Sequence, residues 1–311
     1  MEGHLVVRTG NASKSPVVPF AGRFGRYAPE AEKDVRKADV REDEVLKQLK
    51  SLFTKFECEC PTQCYEILEG PYNEALKLVR GLNYSAQDVT NLSIALAEFQ
   101  DMVGFPKRAG LFLSALVNNM PDEHFVIHTK HLAVPISDLG YRNIGNVTVK
   151  GSLADLIGHM MVGGTMVIEG NVRWALAFRM KGGHMEIGGE CGQVGNELSG
   201  GTILVKGDAG SVGDNMEGGL IIIKGNAVYT AGRAMKGGAI LILGNAKIVG
   251  MQESFTGNNE RYYYGCIEGG EIHVEGDLGA FGMSGSAKDA RIYHKGKLIA
   301  ENGKIFTEGE K

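Results

Sequence analysis

Three cysteine thiols lie close together in the sequence Cys58-Glu-Cys60-Pro-Thr-Gln-Cys64, within seven residues. Thiolates bind zinc and iron–sulfur clusters, so these three could hold such a group if a fourth ligand came from elsewhere. The C-x-C-x3-C spacing is not that of an established motif, and Cys191 and Cys266 lie far along the chain. Thiols that only pack between helices are the alternative interpretation.

A second set of residues suits binding rather than catalysis. The segment between Gly250 and Gly269 contains Phe255, Arg261, Tyr262, Tyr263 and Tyr264. Aromatic residues and arginine are enriched at the centres of protein interfaces. The segment therefore predicts a partner-binding loop, and the alternative is a loop that folds back and buries its own aromatic side chains.

Other patterns predict no catalytic site. His124, His128 and His131 are close enough in sequence for a metal site, but surface or capping histidines are the favoured interpretation. The segment Gly188-Gly-Glu-Cys-Gly192 follows a predicted strand, yet no amphipathic helix follows it, which disfavours a nucleotide-binding loop. The sequence thus predicts no catalytic and no cofactor-binding residue.

Composition narrows the class of protein. The chain has 311 residues, a net charge of -4 and a pI near 6.1, which disfavours binding to nucleic acid. Its apolar runs fall well short of the ~18 residues that a membrane span needs. No secretory signal is visible, and five cysteines do not suggest a disulfide framework. We therefore expect a globular cytoplasmic protein without a membrane span.

Glycine is about twice as frequent as in an average protein, and it is unevenly distributed. Of 45 glycines, 9 lie in residues 1–142 and 36 in residues 143–311, whereas all eight prolines lie at or before Pro135. This change in composition predicts a domain boundary near residue 136.

Gly-Gly pairs recur in the second half, at 163–164, 182–183, 200–201, 218–219, 237–238 and 269–270. The steps are 19, 18, 18, 19 and 32 residues, the last being one repeat plus an insertion of about 14 residues within 250–266. Each pair precedes a segment of alternating apolar residues and a further glycine, as in Gly219-Leu-Ile-Ile-Ile-Lys-Gly225. Repeats of this length bury a core only by stacking, which predicts a parallel β-helix of about eight coils.

The alternation also predicts the register of the stack. One inward column should contain Val147, Met166, Met185, Ile203, Ile221, Ile240, Ile272 and Ile292, and a second should contain Val149, Ile168, Ile187, Val205, Ile223, Ile242 and Val274. Positive φ is expected at some of Gly183, Gly201, Gly219 and Gly238. Coils of 19 residues break the six-residue period of left-handed hexapeptide-repeat acyltransferases, so we expect a right-handed β-helix with irregular corners.

The repeats resemble a known family. The segments Met216-Glu-Gly-Gly-Leu-Ile-Ile-Ile-Lys-Gly-Asn226 and Met235-Lys-Gly-Gly-Ala-Ile-Leu-Ile-Leu-Gly-Asn245 carry the likeness. They resemble the β-helical subunit of formylmethanofuran dehydrogenase, its counterpart in formyltransferase/hydrolase complexes, and the C-terminal β-helix domain of the glutamate synthase large subunit. The likeness covers residues 140–300, about half of the chain. It implies a structural spine without cofactors of its own, whose partner subunits would carry any molybdopterin, tungsten, metal or flavin.

The first half of the chain is predicted to be mainly helical. Residues 1–30 suggest an extended tail, residues 31–135 a helical capping domain and residues 136–311 the β-helix, so the fold class is α+β. Helices are expected over 31–56, from an N-cap at Ser85 with Asp88, and from Pro106. Phe125–His128 should form a strand that leads into the repeat. The helices would then cover the open edge of the first coil.

These observations predict a non-catalytic scaffold subunit of an oxidoreductase complex in one-carbon metabolism, with other protein subunits as partners. The alternatives are a glutamate-synthase-type subunit in nitrogen assimilation and a free-standing hexapeptide-like acyltransferase.

Overall fold

The computed structural model describes residues 43–58, 68–255 and 261–306. Helices come first along the chain: α1 Glu44–Lys55, α2 Glu69–Val79, α3 Ala86–Ala95, a 3-10 helix over Leu96–Phe99, and α4 Phe105–Asn119. Their shared core includes the Phe53 ring, which lies edge-to-face against Phe99 and Phe112 at centroid distances of 5.3 and 5.6 Å.

Local side chains explain where two of these helices begin. The Ser85 hydroxyl accepts a hydrogen bond from the Asp88 backbone N–H at 3.3 Å, and the Asp88 carboxylate accepts one from the Ser85 N–H at 2.7 Å. This capping box starts α3 as predicted, and Pro106 lies in the first turn of α4 as predicted. Helix α1 is confirmed from Glu44 onward, while the earlier part of the predicted 31–56 helix lies outside the described residues. Helix α2 was not predicted.

The rest of the chain forms β-strands. Sheet A contains β1 His124–His128, β2 Asn146–Lys150, β3 Thr165–Ile168, β5 His184–Ile187, β7 Thr202–Val205, β9 Leu220–Ile223, β11 Ala239–Ile242, β15 Gly270–Val274, β17 Ala290–His294, β18 Lys297–Glu301 and β19 Lys304–Ile305. Sheet B contains β4 Val172–Leu176, β6 Cys191–Val194, β8 Ala209–Val212, β10 Ala227–Ala231, β12 Ala246–Val249 and β16 Leu278–Phe281. A separate antiparallel hairpin pairs β13 Gln252–Phe255 with β14 Arg261–Tyr264.

The strands stack as a parallel β-helix of about eight coils, in the register that the sequence predicted. Both inward columns are confirmed pair by pair, for example Ile203 beside Ile221 and Ile221 beside Ile240. All members of the two columns are buried. Each coil thus adds one inward layer to a continuous apolar core.

The corners explain the glycine pairs. Gly183, Gly201, Gly219 and Gly238 have φ between 88° and 92°, as predicted. A Cβ at Gly238 would lie 2.8 Å from the Gly219 carbonyl oxygen, so a larger residue would also collide with the preceding coil.

Each complete coil contributes one strand to sheet A and one to sheet B. The remaining side carries a buried column of Met161, Met180, Leu198, Met216 and Met235, and its backbone takes left-handed dihedrals at residues such as Arg179 and Glu197. Two stacked sheets with an irregular third side, over the described coils, match the predicted cross-section rather than the three-faced hexapeptide type.

Both ends of sheet A are covered. At the first coil, the Thr90 hydroxyl of α3 donates to the Val126 carbonyl oxygen at 2.9 Å, and the His128 N–H donates to the Ser93 hydroxyl at 3.0 Å. These bonds satisfy the outer edge of β1, which would otherwise pair with foreign strands. At the last coil, β18 and β19 continue the sheet in antiparallel pairing after β17.

Candidate functional site

The outer face of sheet B differs from coil to coil because two strands are bulged. Strands β4 and β10 have five residues, and their pairing with neighbouring strands shifts register. The extra residue turns two consecutive side chains outward: Arg173 and Trp174 on β4, and Val228 and Tyr229 on β10. Trp174 is 52% exposed and Tyr229 is 60% exposed. Bulges often re-aim side chains beside functional sites.

Between the bulged strands the face is lowered by Gly192 on β6 and Gly210 on β8. A Cβ at Gly192 would lie 2.7 Å from the Trp174 carbonyl oxygen, and one at Gly210 would lie 2.4 Å from the Gly192 carbonyl oxygen. A solvent-open cavity of about 520 Å³ lies above these two glycines, and we call it the glycine-floored cavity. Arg173, Tyr229 and the corner that joins sheet A to sheet B form its sides.

A polar ladder runs along that corner. Asn171, Asp208, Asn226 and Asn245 each accept, through Oδ1, the backbone N–H of the equivalent residue one coil further on, at 2.7–3.0 Å. Glu190 occupies the same position in its coil but departs from the pattern. Its carboxylate is exposed and forms no hydrogen bond or ion pair within the described part of the chain.

A second cavity, of about 380 Å³, lies on the other side of Tyr229. The buried Asp214 carboxylate accepts hydrogen bonds from Arg233 at 3.0 and 3.2 Å, and from the Thr230 hydroxyl at 3.4 Å. Burial raises the pKa of Asp214, while the hydrogen bond from Arg233 lowers it. Lys247 also lines this cavity, so it carries groups of both charges.

The outer face of sheet A carries an apolar patch across three neighbouring coils. Its members alternate with the buried columns on β7, β9 and β11, and we call them the aliphatic patch: Leu204, Leu220, Ile222, Leu241 and Leu243. Leu243 is 44% exposed, and the other four are partly exposed. Lys206 and Lys224 follow two of these strands and form a basic rim.

Two buried titratable groups lie in the first coils, outside both cavities. The His159 ring stacks on Phe178 at 5.1 Å and lies edge-on to Tyr141 at 5.5 Å, and neither ring nitrogen has a partner among the described residues. Burial, and then the neighbouring arginines, lowers the pKa of His159 to about 4. Burial raises the pKa of Asp138 to about 7, and its Oδ1 likewise has no described partner. Both groups are therefore uncharged at pH 5 to 6.

The predicted thiol cluster is only partly described. Cys58 is half-buried after α1, whereas Cys60 and Cys64 lie outside the described residues. Among the residues that are described, no group of three or more His, Cys, Asp or Glu side chains is placed to hold a metal. Cys191 lies inside the coil, where burial raises the pKa of its thiol to about 12. The metal site at Cys58, Cys60 and Cys64 stays a prediction.

The predicted partner-binding insertion forms the β13–β14 hairpin, in which Ser254 pairs with Tyr262 and Gln252 with Tyr264. The backbone of Phe255, Arg261, Tyr262, Tyr263 and Tyr264 thus belongs to a two-stranded ribbon, while their side chains lie outside what the structure describes. Their role in partner binding stays a prediction. His124 and His131 are used locally, since His124 Nε2 lies 3.0 Å from the Thr148 hydroxyl and His131 Nε2 lies 2.9 Å from the Ile94 carbonyl oxygen.

The bulges, the lowered floor and the buried His159 and Asp138 were missed by the sequence reasoning. One signal was present: β4 and β10 belong to the 19-residue coils Gly164–Gly183 and Gly219–Gly238, whereas β6 and β8 belong to coils of 18 residues.

Comparison with protein-family models, curated proteins and solved structures found no match for this chain. Within the described ranges, no helix combines the length and apolar character needed to span a membrane.

Proposed function

We propose that the protein is a non-catalytic β-helix scaffold of a multi-subunit metabolic enzyme in the cytoplasm, similar to the β-helical subunit of formylmethanofuran dehydrogenase. The observation that supports this best is the aliphatic patch. Its side chains lie opposite columns that already fill the core, so core packing does not account for them. Contiguous apolar surface with a charged rim is typical of protein interfaces.

The patch favours a partner with an apolar centre and acidic groups around it, because Lys206 and Lys224 border it. In the proposed complex, this partner is a catalytic subunit that carries the molybdopterin, tungsten or other metal centre. A glutamate-synthase-type assembly, with a flavin-containing partner, is the second candidate. The hexapeptide-like acyltransferase has less support, since its three-faced coil differs from the two-sheet coil found here.

Native purification from the source cells, followed by identification of co-purifying subunits, tests the proposal. A metal-dependent one-carbon enzyme as partner would support it, and a flavin-dependent glutamate synthase partner would support the second candidate. A homotrimer that transfers acyl groups from acyl-CoA would contradict both.

Variants can then locate the interface. The double variant Ile222→Ser/Leu241→Ser should stay folded yet lose its partner subunits, because both residues belong to the aliphatic patch. Val167→Ser, on the same outer face but outside the patch, is the matched control and should keep them. The triple variant Tyr262→Ser/Tyr263→Ser/Tyr264→Ser tests the insertion separately. Loss of partners only in the triple variant would transfer the docking role to the hairpin.

A further inference from the structure

We propose that the glycine-floored cavity on sheet B binds a guanidinium group, carried either by a small molecule or by an arginine of a polypeptide. This inference does not rest on the scaffold role and concerns the opposite set of strands. Three features carry it: the charge of the cavity, its flat aromatic side, and a carboxylate that the fold itself does not use.

The uncompensated charge of the cavity is negative. Arg173, the one cation among its described lining residues, is already paired with Asp155, through Nε at 3.2 Å and Nη2 at 2.7 Å. Glu190 and Asp208 also line the cavity, and neither forms an ion pair with a described residue. A cationic ligand would therefore complete the charge balance.

The shape favours a planar cation over a compact one. The Tyr229 ring lies beside the floor, since its Cδ2 would be 3.2 Å from a Cβ built at Gly210. A guanidinium is flat and weakly hydrated, stacks on aromatic rings, and donates paired hydrogen bonds to a carboxylate. An ammonium group is strongly hydrated and presents no flat face.

The binding residues are not explained by the needs of the fold. At the polar corner, asparagine and aspartate complete the ladder in the neighbouring coils, whereas the Glu190 carboxylate stays outside it. Tyr229 is turned outward only because β10 carries an extra residue. The coil would stack equally well without either side chain.

Calorimetric titration of the full chain tests the proposal with two guanidinium probes: agmatine, and an acetylated and amidated Gly-Arg-Gly tripeptide. We expect saturable, salt-sensitive binding of at least one of them. The same tripeptide with lysine should bind about fivefold more weakly, and with neutral citrulline it should not bind measurably. Tighter binding of agmatine would assign the site to a small molecule, and tighter binding of the tripeptide to a polypeptide.

Variants place the binding in this cavity. Glu190→Gln and Tyr229→Leu should each weaken binding by about fivefold or more. Asp208→Asn keeps an acceptor for the Asn226 N–H and should weaken binding without unfolding the coil. Glu217→Gln removes an exposed carboxylate on another corner, 3.7 Å from Lys236, and is the matched control. Folding of each variant is checked by circular dichroism. Absence of binding by the folded wild type, or equal binding by Glu190→Gln, would overturn the proposal.

Discussion

Sheets A and B are built by the same coils, yet they treat sequence differently. In the coils from β3 to β11, sheet A strands are all four residues long and pair without a register shift. In the same coils, sheet B alternates between four-residue and five-residue strands, with bulges at β4 and β10. Sheet A therefore fixes the stacking, while sheet B takes up differences in coil length.

The difference shows in which side chains reach solvent. An outward position on sheet A is one residue between two buried ones, whereas a bulged strand of sheet B exposes two consecutive residues, such as Val228 and Tyr229. Regular strands suit packing, and bulged strands suit presentation of side chains. Single substitutions can test this contrast, and we take them in order of decreasing cost to stability.

Truncation of the sheet A core should be the most damaging change. Ile221 is fully buried between Ile203 and Ile240, and Ile221→Ala should lower the free energy of unfolding by about 2–5 kcal/mol. Ile203→Ala should cost a similar amount. Denaturant unfolding followed by circular dichroism measures both. A loss below about 1 kcal/mol would show that the column is not packed as described.

The junction of helices and first coil extends the comparison to buried charge. Asp138 has a folded-state pKa of about 7, raised by burial from 3.8. The folded state holds its proton more tightly, so this group's contribution to stability is complete below pH 4 and is lost as pH rises to 7. The loss amounts to at most about 4 kcal/mol. Asp138→Asn should remove this pH dependence, as measured by unfolding at pH 4 to 8. An unchanged profile would contradict the raised pKa.

His159, close by in the same coil, should act in the opposite direction. Its pKa is lowered by burial from 6.5 to about 4, so its contribution is complete above pH 6.5 and is lost as pH falls through 4. The loss amounts to at most about 3 kcal/mol. Phenylalanine fits the stack between Tyr141 and Phe178, so His159→Phe should be more resistant to acid. Equal acid sensitivity of the variant and the wild type would assign the effect to other groups.

Within one glycine pair, the two members should respond differently. Gly164 has φ of 69°, and a Cβ there would lie 2.1 Å from the Gly145 carbonyl oxygen, while a Cβ at Gly163 would meet nothing within 4 Å. Gly164→Ala should therefore cost about 1–3 kcal/mol, and Gly163→Ala should be nearly neutral. Thermal unfolding of the two single variants measures the contrast, and equal costs would contradict the role assigned to the corner.

Truncation on the outer face of sheet B should have the least effect on stability. Tyr229 is 60% exposed, so Tyr229→Leu should change the free energy of unfolding by less than about 0.5 kcal/mol. The same chemical-denaturation assay applies. A large loss would mean that the bulge is needed for folding rather than for presentation.

Much of the fold could be predicted because sheet A repeats a local pattern. Alternating residues such as Ile221 and Ile223 identify the inward face, and the glycine pairs fix where each strand begins. Helix α3 was predictable because Ser85 and Asp88 satisfy each other locally. Helix α2 was missed because Gly70 and Pro71 in its first turn indicate a turn, and packing against α4 decides otherwise.

The candidate site was less predictable because it depends on neighbours one coil away. The exposure of Tyr229 follows from a bulge, and the floor follows from Gly192 lying against the backbone of β4. Neither is visible in a single repeat. The burial of His159 likewise depends on Tyr141 and Phe178, which stack on it from the preceding and following coils.

The bulges have a consequence for how such a chain can change over generations and in the laboratory. Because β4 and β10 accommodate one extra residue without disturbing β3, β5, β9 or β11, a single-codon insertion or deletion in a sheet B arm is a tolerated mutation rather than a frameshift in packing. Coils of either length can then be duplicated, exchanged or recombined at their glycine pairs as interchangeable cassettes. A new pair of outward side chains can be introduced at any chosen level of the stack by inserting one codon there.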